Sequence, residues 1–122
     1  MAHKTILVVE DNQVSRELAV ELLTAAGYTV LEAEDGLGLI ERVKRERPNL
    51  ILMDLQLPHI DGLTLIRQLK ADAETREIPV LAETAYTQPE QKARALEAGC
   101  ADYLTKPLDI KAVLSTIARF LA

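Results

Sequence analysis

A carboxylate that follows a buried apolar run is the residue of this sequence best placed to do chemistry. Residues 50–53 are Leu-Ile-Leu-Met, the next residue is Asp54, and Pro58 ends the stretch soon afterwards. A short apolar run bounded by turn signals is typical of a central parallel strand that is buried on both faces. Asp54 would then close that strand, at the sheet edge where open α/β proteins bind ligands. Because an unpaired buried charge is costly, Asp54 needs partners.

Three other places carry polar side chains directly after an apolar run, and they supply candidate partners. These are Glu10 with Asp11, then Thr84, then Lys106. Clustered carboxylates repel one another unless a cation joins them, and hard oxygen ligands in a shallow site favour Mg²⁺. A carboxylate, a divalent cation, a lysine and a hydroxyl together suit phosphoryl transfer. We therefore predict that Asp54 is a nucleophile forming an aspartyl-phosphate, with Lys106 and Thr84 each contacting a phosphoryl oxygen.

Each of these residues also has a purely structural interpretation when it is considered alone. A single Asp after a strand usually caps a turn, and Glu10 with Asp11 would favour a helix N-terminus through the helix dipole. Lys106 alone would be a surface charge, and Thr84 an ordinary hydroxyl at a strand end. The presence of all four motifs in one chain favours the functional interpretation.

The elements that must position these residues alternate regularly between strand and helix. Apolar runs predict strands at residues 5–9, 28–33, 50–54, 79–83 and 101–105. Helical periodicity predicts a helix after each of them. Five such pairs predict an α/β fold, a three-layer sandwich around a five-stranded parallel sheet with right-handed crossovers.

Two of the predicted helices differ in how much apolar surface they offer to the sheet. The first is predicted to bury a stripe of four apolar residues, which are Val14, Leu18, Leu22 and Ala26. The fourth is predicted to start at a Thr87 cap and to have a thin apolar face, chiefly Ala93 and Leu96. So thin a face predicts a helix at the low-stability end of the fold.

Length, charge and cysteine content narrow the class of protein. The 122 residues fit one domain, residues 1–122, with no room for an output domain. The net charge of −5 argues against a nucleic-acid or membrane surface as partner. A single cysteine, Cys100, excludes an internal disulfide and fits a reducing compartment, so we predict a cytoplasmic protein. The N-terminal apolar run is too short for a signal peptide or a membrane span.

The ordered motifs resemble those of the receiver domain of two-component response regulators. They are Val-Val-Glu-Asp-Asn at 8–12, Leu-Met-Asp-Leu-Gln-Leu-Pro-x-x-Asp-Gly at 52–62, Glu-Thr-Ala at 83–85 and Leu-Thr-Lys-Pro at 104–107. The match covers essentially the whole chain and is most similar to single-domain regulators of the DivK type. The resemblance implies a flavodoxin-like (βα)5 fold with strand order 2-1-3-4-5.

The same resemblance implies roles at the site. Asp54 would accept a phosphoryl group from a histidine kinase or a histidine phosphotransfer protein. Asp11 and Asp54 would ligate Mg²⁺ by their side chains and Gln56 by its backbone carbonyl, while Glu10 would act through metal-bound water. The bond between Lys106 and the following proline is expected to be cis, which the prolyl amide allows at low cost.

The resemblance also implies a switch. Tyr103 matches the family's switch aromatic, which turns inward once Thr84 moves toward the phosphate, and Gln56 and Tyr86 would flank the phosphoryl group. A downstream effector protein would bind the face formed by helix four, strand five and helix five, or helix one. Phosphorylation would bias a two-state element that this partner recognises.

Glu83 departs from the family pattern, which usually has an apolar residue immediately before the threonine. A glutamate in a strand buried on both faces needs a cationic partner, a hydrogen-bonded niche or a raised pKa. We predict that Glu83 leans toward helix four and meets Lys92 or solvent.

Three rival functions remain to be weighed. A docking module that no longer takes phosphate is the main alternative, and Glu83 leaves it some room. An aspartate-nucleophile phosphohydrolase would need a second Asp where this chain has Gln56, which cannot serve as acid or base. A flavodoxin would need a phosphate-binding loop after strand one, where Glu10 and Asp11 would repel a phosphate.

Overall fold

A computed structural model describes residues 4–85 and 89–121 and shows one parallel sheet between two layers of helices. The strands are β1 (Thr5–Val9), β2 (Thr29–Ala33), β3 (Leu50–Asp54), β4 (Val80–Thr84) and β5 (Asp102–Thr105). The helices are α1 (Gln13–Ala25), α2 (Leu39–Glu46), α3 (Gly62–Ala71), α4 (Pro89–Ala98) and α5 (Ile110–Leu121). The strand order is β2-β1-β3-β4-β5, as the resemblance implied, and the flavodoxin-like α/β class is confirmed.

The centre of the sheet is buried on both faces. All residues of β3 and of β4 are buried, and β3 pairs with β1 on one side and with β4 on the other. Alternate side chains of the strands enter two separate apolar clusters. One cluster contains buried residues of α2, α3 and α4, and the other contains buried residues of α1 and α5. The three-layer arrangement therefore follows from continuous apolar strands, which need a cover on each face.

The predicted inward stripe of α1 is confirmed only at Leu22, which packs against the apolar cluster of α1 and α5, and the predicted stripe of α4 is wrong. Val14 and Leu18 are 66% and 62% exposed, and α1 instead packs Ala19 and Leu23 against the sheet. Asn12 caps α1 by accepting a hydrogen bond from the Ser15 amide, and this cap sets the rotation of the helix after a short connection.

In α4 the buried residues are Ala95 and Ala98, whereas Leu96 is 44% exposed. Ala93, the other residue predicted to face inward, is exposed as well, so α4 turns a different face to the sheet from the one that the apolar pattern predicted. The predicted cap Thr87 and the predicted flanking residue Tyr86 lie outside the described residues. Within the described ranges, no helix combines the length and the apolar character that a membrane crossing requires.

Candidate functional site

Four neighbouring strands bring the predicted site residues to one edge of the sheet. Glu10 directly follows β1, Asp54 is the last residue of β3, Thr84 is the last residue of β4, and Lys106 directly follows β5. Because the strands are parallel, all four ends lie on the same side. Thr84 belongs to β4 itself, one residue beyond the predicted end of that strand.

Lys106 joins two of the carboxylates. Its Nζ donates hydrogen bonds to Glu10 Oε1 at 2.6 Å and to Asp54 Oδ2 at 2.9 Å. Partial burial by itself would lower the pKa of Lys106, but the hydrogen bonds to the two carboxylates outweigh burial and raise the pKa. The Lys106–Pro107 peptide bond is cis, as expected from the resemblance. The lysine therefore carries a fixed positive charge at the mouth of the site.

The acidic residues lie close enough to share a cation. One carboxylate oxygen from each of Glu10, Asp11 and Asp54 lies within 4.8 Å of the others. Glu10 and Asp54 are buried, whereas Asp11 is exposed. Burial is the main cause that raises the pKa of Glu10, and the nearby Asp54 carboxylate raises it further. The hydrogen bond from Lys106 acts in the opposite direction but does not cancel the increase. Such a set of hard oxygen donors, open on one side, fits an ion that keeps part of its water shell, as Mg²⁺ does.

The loop after β3 holds Asp54 in place. The Gln56 amide donates to Asp54 Oδ1 at 2.8 Å, and Gln56 Oε1 accepts from the Ala85 amide at 3.3 Å, which ties the ends of β3 and β4 together. The loop closes tightly because Gly62 starts α3 against it. A Cβ at Gly62 would lie 2.7 Å from the Leu55 Cα, a distance that real side chains do not tolerate. The close contact explains on steric grounds why the residue after the aspartate of the Asp-Gly motif is a glycine.

Thr84 and Tyr103 form a pair on the face of the sheet that α3 and α4 cover. Thr84 is fully buried, and Tyr103 packs against the apolar cluster of that face. Burial raises the pKa of the Tyr103 phenol, and the hydrogen bond between Tyr103 and Thr84 opposes that increase. The two residues that the resemblance couples in a switch are therefore in direct contact.

Glu83 corrects a prediction made from the sequence. It is only 2% exposed and lies on the α1 and α5 face of the sheet, so it meets neither α4 nor solvent. The reason is strand alternation, because Leu81 packs into the α1 and α5 cluster and Glu83 is two residues further along β4. Burial raises the pKa of Glu83 to about 7, with Lys106 opposing the increase and the nearby carboxylates adding to it.

Sequence reasoning missed Arg16 entirely. Its Nη1 donates to the Glu10 backbone carbonyl at 2.9 Å, and its Nε lies 3.4 Å from Glu32 Oε1. Arg16 thereby connects α1 to the ends of β1 and β2 beside the acidic cluster. The only signal in the sequence is a cation near the start of α1, which is too common to be informative.

Comparison with known proteins agrees with this fold and site. The chain belongs to the response regulator receiver domain family, whose match spans residues 6–118. This is a family of signalling domains of two-component systems and not of phosphohydrolases or flavodoxins. The resemblance stated from the motifs is therefore confirmed.

Individual relatives match over nearly the whole chain. The polar-differentiation response regulator DivK of Brucella anthropi is 37% identical over 118 residues, which cover 97% of this chain and 96% of that protein. The chemotaxis protein CheY4 of Vibrio cholerae has a TM-score of 0.90 at 27% identity and covers 98% of this chain and 99% of its own.

A third relative bears on the metal. The receiver domain of the sensor histidine kinase PA1611 from Pseudomonas aeruginosa PAO1 has a TM-score of 0.89 at 34% identity, with 98% of each chain covered. That structure holds a magnesium ion coordinated in its active site cleft. In the present chain, the corresponding chemical feature is the carboxylate cluster of Glu10, Asp11 and Asp54.

Proposed function

We propose that this chain is a response regulator receiver domain that is phosphorylated on Asp54 in a two-component phosphorelay. The phosphodonor is a histidine kinase or a histidine phosphotransfer protein. The single observation that carries the proposal is the position of Lys106, whose Nζ bridges Glu10 and Asp54 at one end of the acidic cluster. A buried carboxylate with a fixed cation beside it and an acidic cluster around it suits the accumulation of charge during phosphoryl transfer.

The proposed transfer uses the residues of the chain as follows. A carboxylate oxygen of Asp54 forms a bond to phosphorus while the phosphorus–nitrogen bond of the donor's phosphohistidine breaks, and that electron pair stays on the donor's imidazole. Lys106 pairs with one phosphoryl oxygen, and the Thr84 hydroxyl donates to another. The Gln56 amide, already bonded to Asp54, holds the carboxylate in position.

Mg²⁺ is the proposed cofactor. Asp11 and Asp54 would bind it by their side chains, Gln56 by its backbone carbonyl, and Glu10 through a water molecule. When bound, the ion neutralises charge on the phosphoryl oxygens. The chain takes part in its own phosphorylation and dephosphorylation without being a turnover enzyme.

Phosphorylation is proposed to switch a protein-binding surface through Thr84 and Tyr103. As Thr84 turns to the phosphoryl group, its hydrogen bond to Tyr103 is lost, and Tyr103 takes a different position on the face of α4, β5 and α5. A downstream effector would bind that face or α1. We propose that the protein is located in the cytoplasm and that neither a nucleic acid nor a membrane is its partner. Residues 1–122 are proposed to contain the receiver domain and no output domain.

Intact-protein mass after exposure to phosphoramidate tests the proposal. Wild-type protein should gain one phosphoryl group when Mg²⁺ is present and none when it is chelated. Asp54→Asn should gain none, whereas the control Asp72→Asn, at the opposite edge of the sheet, should behave as wild type. If no adduct forms, and rapid hydrolysis of the aspartyl-phosphate has been excluded separately, the result would favour the phosphorylation-independent docking module instead.

A further inference from the structure

Glu10, the buried residue that follows β1, is held by a hydrogen bond at each of its polar groups. Its amide donates to the Ala33 carbonyl at 3.0 Å, and its carbonyl accepts from Arg16 Nη1 at 2.9 Å. The carboxylate Oε1 accepts from Lys106 Nζ at 2.6 Å, and Oε2 accepts from the Asn12 amide at 3.1 Å. Arg16 is the partner through which α1 fixes the backbone of Glu10.

The bond from Arg16 closes the short connection between β1 and α1. That connection carries Glu10 and Asp11, which supply two of the three carboxylates of the acidic cluster. Asn12 caps the start of α1, and Arg16 bonds the helix back to the end of the strand. The exposed Asp11 extends from the middle of this connection. Its position relative to the rest of the cluster therefore depends on how firmly the two ends of the connection are held.

Arg16 is itself held in place. Its side chain is only 15% exposed, and its Nε lies 3.4 Å from Oε1 of Glu32 on β2. A guanidinium is planar and rigid, so it can contact two partners in a fixed relative geometry. The backbone of the acidic cluster is therefore connected through Arg16 to β2 as well as to α1.

The charge of Arg16 and its contacts should act on a bound cation in opposite directions. Lys106, and not Arg16, bonds the carboxylates of Glu10 and Asp54. A positive charge beside the cluster repels Mg²⁺, so removal of the charge alone would strengthen binding. Loss of a contact that orients metal ligands instead weakens binding, typically by about 10- to 100-fold. The direction of the change in affinity therefore distinguishes the two effects.

We propose that Arg16 is a positioning residue for the magnesium site. By holding the Glu10 carbonyl, Arg16 keeps the β1–α1 connection in the conformation that brings Glu10 and Asp11 to Asp54. Arg16 touches neither the ion nor the phosphoryl group. The inference rests on the proposed binding of Mg²⁺ and assigns part of the control of its affinity to a residue outside the acidic cluster.

Titration of isotope-labelled protein with Mg²⁺, followed by amide chemical shifts, tests the inference without a phosphodonor. Arg16→Met and Arg16→Gln should each weaken Mg²⁺ binding about tenfold or more. Arg42→Met is the matched control, because Arg42 lines the same cavity at the end of β2 but bonds Glu46 and the Glu32 carbonyl instead of Glu10. This control also removes one positive charge, and its affinity for Mg²⁺ should equal or exceed that of wild type.

Two further measurements separate positioning from a general loss of structure. With Mg²⁺ chelated, the Asn12 amide that bonds Glu10 should exchange its hydrogen about tenfold faster in Arg16→Met, the change expected for one weakened contact, and at the wild-type rate in Arg42→Met. Phosphorylation of Arg16→Met by phosphoramidate should need about tenfold more Mg²⁺ for its half-maximal rate. The rate at saturating Mg²⁺ should stay near that of wild type.

The inference is overturned if either Arg16 variant folds and binds Mg²⁺ with wild-type affinity. Tighter binding would show that only the charge of Arg16 matters, and would overturn it as well. An equal loss of affinity in Arg42→Met, or a low rate of Arg16→Met at saturating Mg²⁺, would show a general structural effect and have the same consequence. All of these outcomes differ from a failure of the proposed function, in which wild-type protein itself neither responds to Mg²⁺ nor gains a phosphoryl group.

Discussion

Lys106 and Asp54, which are 52 residues apart in the chain, are joined by a hydrogen bond of 2.9 Å across the edge of the sheet. The Asp54 side chain is almost completely buried, whereas Lys106 keeps about a quarter of its side chain in solvent. The lysine also bonds Glu10 at 2.6 Å, so one cation compensates two buried carboxylates. The stability of the metal-free protein and its proposed chemistry therefore depend on the same contact.

Removing the charge of Lys106 should destabilise the metal-free protein. Lys106→Met leaves Glu10 and Asp54 close together without a cation, and we expect a loss of roughly 2 to 4 kcal/mol in the free energy of unfolding. Urea denaturation in a chelating buffer measures the loss. Lys44→Met, which breaks a partly exposed ion pair with Asp72, is the control and should have a much smaller effect, because it leaves no buried carboxylate without a cation. Equal losses in the two variants would contradict the proposed importance of the contact.

Magnesium should stabilise the protein through the acidic cluster. An ion that binds only the folded state increases the free energy of unfolding by RT ln(1 + [L]/Kd), where [L] is the concentration of the free ion. A Mg²⁺ concentration of about 100 times Kd should therefore add about 2.7 kcal/mol. Thermal denaturation with increasing Mg²⁺ measures this effect. Asp11→Asn should abolish most of it, since Asp11 is the exposed member of the cluster. A magnesium response that Asp11→Asn leaves intact would place the ion elsewhere.

Glu83 should make stability depend on pH. Burial raises its pKa to about 7 from a usual value of 4.5, so between these values the folded protein holds a proton that the unfolded chain has released. The free energy of unfolding therefore decreases as pH rises through this window, by on the order of 3 kcal/mol for this group.

Glu83→Gln removes that dependence. Urea denaturation at about pH 5 and about pH 8, without divalent metal, should show the variant gaining stability relative to wild type at the higher pH. Glu97→Gln should retain the wild-type profile, because Glu97 is exposed on α4. If wild type and Glu83→Gln lose stability in parallel between the two pH values, another group is responsible.

The Thr84 hydroxyl should matter for phosphorylation, and the Tyr103 phenol should not. Thr84→Val removes a donor from the proposed phosphoryl site with little change of volume, and we expect phosphorylation by phosphoramidate to slow about tenfold or more. Thr84→Ser should restore the rate. Tyr103→Phe loses the hydrogen bond to Thr84 but no proposed contact to phosphate, so its rate should stay near that of wild type. A slow Tyr103→Phe would show that the phenol acts in the transfer itself.

Helix α4 should exchange its amide hydrogens faster than strand β3. In α4 the buried side chains are the two small residues Ala95 and Ala98, whereas all five residues of β3 are buried. Few buried apolar contacts permit local opening at low free energy. Hydrogen exchange followed by mass spectrometry distinguishes the two elements. Equal protection of α4 and β3 would contradict the assignment of α4 to the responsive face.

The sequence was sufficient for the order of the elements and for the residues at the ends of the strands that form the site, although not for Arg16. Apolar runs and their period locate the ends of all five strands within one residue, because the central strands of a parallel sheet need mostly apolar side chains to pack against helices on both faces. Polar residues that directly follow such runs must lie at one edge of a parallel sheet. Glu10, Asp54, Thr84 and Lys106 therefore come together in the structure as predicted, although their chemical roles stay predictions.

Only the tertiary structure determined which side of a helix is buried and which face of the sheet a strand residue lies on. The sequence suggested that Leu18 is buried, but the structure exposes it and buries Ala19, since the cap at Asn12 and the short connection from β1 set the rotation of α1. Similarly, the sequence could not say which face Glu83 takes. That face depends on the register of β4 between β3 and β5, which is a relation among three segments distant in the chain. Local periodicity carries no information about such relations.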